Sequence, residues 1–154
     1  MFKYLKKYIV LPGDKLGDIF FQPLDPGELD NAELKLGFKF PVGLRDFYQE
    51  IGCGMIRCGE KLPAKSDSSS YVNRIIPPLS AAMAYHGDRS EFIGRPPGSD
   101  ELPFFETSDS NYFILNLSDD PPSVYRRHKS IKVADTFEEF IHKLFYTDPR
   151  FYLL

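Results

Sequence analysis

The residues of this chain able to do chemistry are few and scattered: His86, His128 and His142, the cysteines Cys53 and Cys58, and a string of aspartates and glutamates in the second half. Hydrolysis or group transfer needs a nucleophile within reach of a base, a carboxylate pair or a metal cluster. The histidines fall in different predicted elements and supply none of these. His86, in YHGD, has Asp88 close by, yet a histidine beside glycine at a helix end suits the negative end of the helix dipole. His128 belongs to the basic stretch YRRHK, and His142 follows Ile141 at the boundary of an apolar stripe. No serine sits in a G-x-S-x-G elbow, and neither H-E-x-x-H nor H-x-E with C-x-x-C occurs. The sequence offers no catalytic residue, and the expectation is a protein that is not an enzyme.

Cys53 and Cys58 lie in GCGMIRCG, with four residues between them. A zinc site would want two further ligands at recognisable spacing, so the pair reads as reduced, part-buried thiols, with a disulfide or a metal as alternatives. The glycines of the same stretch imitate a phosphate loop. A dinucleotide fingerprint, however, would need glycine where Arg57 stands, and a Walker loop would end in Gly-Lys-Ser/Thr. No metal site and no cofactor are expected.

Charge distribution carries more information. Between Arg95 and Arg126 there is no lysine or arginine, while Asp100, Glu101, Glu106, Asp109, Asp119 and Asp120 all fall in that interval. Such a block makes a local negative field. Either it is a solvated face that aids solubility, or it is a docking surface that steers a basic partner. The six acids are the candidate partner-binding residues.

The whole chain, with a net charge of -3 over 154 residues, has no overall electrostatic reason to hold a polyanion, so nucleic acid is not an expected direct ligand. The basic start MFKYLKKYIVLPGD has too short an apolar piece for a secretion signal. Nothing approaches the roughly 20 apolar residues of a membrane span. A soluble, cytoplasmic protein is expected. At this length a single core is expected, one that buries roughly 70% of the unfolded surface. Hydrophobic residues make up 42%, and 14 Phe and 9 Tyr without any Trp make that core aromatic.

The elements that must position these residues follow from periodicity and caps. FKYLKKYI places Leu5, Tyr8 and Ile9 on one face of a short surface helix. In DPGE, Asp25 can cap, Pro26 takes the first helical position and Glu28 completes a capping box; Leu29, Ala32 and Leu36 then form a stripe that Gly37 ends. Leu44, Phe47, Tyr48 and Ile51 mark a second helix that Gly52 ends. A short strand is expected over Met55 to Cys58, and KLPAKSDSSSYVN reads as a surface loop. RIIPP reads as an edge strand stopped by Pro77 and Pro78, with a helix from about Leu79 to His86 closed by Gly87. LPFFE, YFILNL, SVYRR and IKVAD are the short aromatic and β-branched segments of an antiparallel meander. Thr136 and Glu139 open a last helix with Phe137, Phe140, Ile141, Leu144 and Phe145 inward. The order implies an α+β domain: a largely antiparallel twisted sheet with helices packed against it.

In LDNAELKLGFKFPVGLRDFYQEIGCG, the positions Leu36-Gly37, Pro41, Phe47, Tyr48, Gly52 and Gly54 give a helix, proline, helix, glycine module that resembles the SUKH superfamily (Smi/Knr type). NRIIPPLSAAMAY, LPFFETSDSNYFILNL, PPSVY and IKVADTFEEFIHKL continue the likeness in the same order. The resemblance implies a SUKH-like domain over residues 25–146, with residues 1–24 an N-terminal extension of the same domain and residues 147–154 a tail. It implies a non-enzymatic protein-binding domain. Many bacterial members are immunity proteins that neutralise a toxin, often a nuclease; fungal relatives regulate cell-wall synthesis, and others act as interaction modules. The partner so implied is a cognate protein toxin, basic if it meets the acidic segment.

Overall fold

A computed structural model describes residues 1–57, 73–88, 96–107, 112–148 and 151–153. Cys58, Asp109 and nearly all of the KLPAKSDSSSYVN loop lie outside the described residues.

The chain opens with a 3-10 turn, Lys3–Tyr8. It is less superficial than its lysines suggest, because Phe2 and Leu5 are fully buried. Strand β1 (Ile19–Gln22) leads into α1 (Glu28–Leu36) and α2 (Val42–Glu50). The capping box before α1 forms by half. The Asp25 N–H donates to Glu28 Oε2 at 3.0 Å, but the N-cap is Gly27, in the left-handed region at φ 82°. Pro26 and Gly27 form a turn, so the helix begins later than Asp25 would place it. Gly37 closes α1 as expected, its N–H donating to the Glu33 carbonyl.

The α2 stripe Leu44, Phe47, Tyr48 and Ile51 is buried, and Gly52 follows at φ 109°. Strand β2 runs over Cys53–Ile56, earlier than the expected Met55 start. Next come β3 (Asn73–Ile75) and α3 (Pro78–Tyr85). Strands β4 (Glu101–Thr107), β5 (Tyr112–Asn116), β6 (Ser123–Arg126) and β7 (Lys132–Ala134) precede α4 (Phe137–Tyr146).

The strands form a single seven-stranded sheet in the order of the sequence, β1 to β7, and every neighbouring pair is antiparallel. The chain is an α+β protein. One expectation changes. β3 is not an edge: it pairs with both β2 and β4. Pro77 and Pro78 end it because they lack N–H donors, and they then open α3, with Pro78 inside its first turn.

The buried faces of α1, α2 and α4 and residues of α3 meet the sheet in one core. At its centre Phe140 packs edge-on to Phe105 and Phe104, with ring centroids 5.0 and 5.5 Å away. A register shift between Pro103 and Phe105 lets Phe104 and Phe105 both point inward; such a bulge also accommodates a proline inside a strand. β5 is buried along its whole length. Beyond α4, a turn at Phe151–Leu153 brings Tyr152 back to the sheet, where its hydroxyl donates to Asn73 Oδ1 at 2.5 Å.

Candidate interaction surface

The described acids of the predicted docking segment occupy two ends of β4. Glu106 lies on the β3 side, opposite Arg74 in the register, and pairs with its guanidinium. Five residues away, roughly 15 Å along a strand, Asp100 and Glu101 meet the β5–β6 turn that holds Asp119 and Asp120.

That second group is knitted by its own backbone. The Leu117 N–H donates to the Asp100 carbonyl at 2.7 Å. The Ser118 hydroxyl donates to Asp100 Oδ2 at 3.1 Å, and Lys129 pairs with the same carboxylate. The Lys129 hydrogen bond comes first among the causes that hold the Asp100 carboxyl below its ordinary value. Glu101, only 6% exposed, accepts the Gly98 N–H at 2.8 Å and faces His128 Nδ1 at 4.0 Å. His128 and Lys129 reach these acids from two consecutive left-handed positions, φ 62° and 54°. Asp119 accepts the Ser123 hydroxyl. Asp120 differs: it is exposed, and no hydrogen bond or ion pair engages it among the described residues.

Asp120 also lines an apolar groove of about 690 Å³. The groove's floor is Leu44, Leu115 and Phe137, its walls are Phe38, Val42, Leu117 and the Pro121–Pro122 pair, and Lys39 and Glu138 share its rim with Asp120. A carboxylate in the preceding helix sets the wall formed by the α1–α2 connection. Glu33 accepts the Phe40 N–H at 2.8 Å and both holds and pairs with Arg45, at 3.1 and 3.2 Å from its Nε. Gly43 gives Glu138 its place, because a Cβ there would stand 2.5 Å from Glu138 Oε1. The groove joins three stretches far apart in sequence, so no periodicity marks it. The local trace is Val42, an apolar residue off the buried stripe of its helix and 74% exposed.

The remaining candidates for chemistry are engaged separately. His86 caps α3 and donates from Nε2 to the Leu36 carbonyl at 3.0 Å, tying α3 to the end of α1. The His142 ring lies against Tyr146, centroids 4.5 Å apart. Cys53 carries a free thiol, pushed up to about 11 by burial and then by the Glu28 charge. Among the described residues no three His, Cys, Asp or Glu side chains gather as a metal site. No helix there is long and apolar enough to cross a membrane.

The described residues thus form an α+β domain with an open groove and an acid-rich turn beside it. Residues 23–143 match the SMI1 / KNR4 family (SUKH-1), and the chain belongs to that family. It is also 28% identical over 132 residues to a protein of Bacillus subtilis (strain 168) named "Immunity protein YxxD", a match covering 80% of this chain and 82% of that one. No solved structure matches the chain.

Proposed function

We propose that this protein binds a cognate bacterial toxin and neutralises it by occluding the active site or substrate channel, without chemistry of its own. The observation that carries the reading is the likeness to an immunity protein along four-fifths of both chains. The acids Asp100, Glu101, Glu106, Asp109, Asp119 and Asp120 are its proposed docking edge. Their one-signed field suits a basic toxin, a nuclease among the candidates, whose approach it would accelerate and orient. Nucleic acid is not itself the ligand, and the proposed place of action is the cytoplasm.

Co-expression with the toxin encoded by the adjacent gene tests the function. Growth is expected to be restored, and the two purified proteins are expected to co-elute; continued killing with no complex would sink the reading. The charge-reversed pair Asp109→Lys and Asp119→Lys tests the edge. It is expected to slow association and flatten its dependence on salt, and unchanged kinetics would reduce these acids to solubilising turn residues.

A further inference from the structure

Within the acidic segment, the described carboxylates other than Asp120 are all committed inside the protein: Asp100 to Lys129 and Ser118, Glu101 to Gly98, Glu106 to Arg74, Asp119 to Ser123. A carboxylate already held by its own chain has less to offer a partner, since the new contact must displace the old one. Asp120 has no such tie among the described residues, and it stands on the rim of the apolar groove.

We propose that the groove is the docking site for one segment of the toxin, a stretch that presents a bulky apolar side chain next to a lysine or arginine. The assignment rests on the toxin-binding reading and narrows it. The groove's size falls within the roughly 300–1,000 Å³ of ordinary ligand pockets, and its floor residues Leu44, Leu115 and Phe137 are nearly or wholly buried while the mouth residue Val42 is 74% exposed. An apolar anchor surrounded by a polar rim is the arrangement in which interface energy concentrates. The rim selects the sign of the flank. Asp120 and Glu138 outnumber Lys39, and no described residue engages any of the three. A second copy of this chain docking here about a two-fold axis would bring acidic rim toward acidic rim.

The test uses the full chain and the purified toxin domain encoded by the adjacent gene. Val42→Arg puts a bulky cation in the mouth of the groove, and Asp120→Lys reverses the free charge; both positions are exposed, and thermal melts check that the variants remain folded. Leu34→Arg, at an 81% exposed position on α1 outside the groove, is the control. Val42→Arg is expected to weaken binding at least tenfold, mainly through faster dissociation, Asp120→Lys to slow association, and Leu34→Arg to bind as the natural protein does. If the natural protein binds and Val42→Arg binds within twofold of it, the groove is not the site, though toxin binding stands. If the natural protein does not bind at all, the toxin reading falls and this occupant with it. If Val42→Arg instead converts a dimer to a monomer in sedimentation, the occupant is a second copy and the assignment is overturned.

Discussion

At the scale of single residues, Gly52 is fixed by what lies against it. A Cβ on Gly52 would sit 2.0 Å from the Gln22 carbonyl oxygen, at a φ of 109°. Both the backbone conformation and the strand behind it exclude a side chain. Gly52→Ala is therefore expected to cost about 3 kcal/mol or more, read as a fall in the urea midpoint with an unchanged slope. Gly52 was legible in the sequence as a helix stop, but its role as the close passage between β1 and β2 was not, because that contact comes from a strand pairing. Asp120 presents the same contrast. Its charge was visible in the run SDDPP, whereas its lack of a partner among the described residues emerges only once Lys129, Arg74, Ser118 and Ser123 have claimed the other described acids.

Among the elements, α4 was the most legible, since its cap, its stripe and its charges are all local. Thr136 Oγ1 accepts the Glu139 N–H at 3.1 Å, and the Glu139 carboxylate accepts the Asp135 N–H at 2.7 Å and pairs with Lys143 at 2.8 Å. The Lys143 hydrogen bond, then that of the Asp135 backbone, holds the Glu139 carboxyl below its ordinary 4.5. A carboxyl depressed in the folded state stabilises above its unfolded value, and the benefit is lost as pH falls through the folded one. Urea melts of the natural protein and Glu139→Gln are expected to differ by about 1 kcal/mol or less near neutral pH, the pair being partly exposed, and to converge as pH falls through the depressed folded-state value. A pH-independent difference would assign the effect to packing. β3 was less legible. Its three residues before two prolines look like an edge, and only its pairing with β2 and β4 moves it inside. The groove was not legible at all, being assembled from the α1–α2 connection, the β5–β6 turn and the first turn of α4.

For the whole molecule, both ends of the chain complete the core. Phe2 packs edge-on to Phe47 and Phe137, with centroids 5.1 and 5.9 Å away. Tyr152 lies against Phe113 at 4.7 Å while the Arg126 guanidinium donates to its carbonyl. Tyr152→Ala is expected to cost about 3 kcal/mol and lower Tm by roughly 10 °C; a melt unchanged within 2 °C or so would make this turn an appendage. The aromatic composition foretold such a core, but a lone tyrosine past Asp148-Pro149 carries no periodic signal, and Phe2 immediately precedes a 3-10 turn, where α-helical spacing does not apply. The order of the strands has a consequence of its own. Each strand hydrogen-bonds to its neighbours in the chain, and the turns from β4 to β7 are short, so that part of the sheet closes at little cost in chain entropy, whereas β1 must meet β2 across α1 and α2, and β3 must meet β4 across α3. The sheet can zip along the sequence from several starting hairpins, and the two joins that span the chain, Phe2 to Phe137 and Tyr152 to Asn73, then lock an almost finished domain.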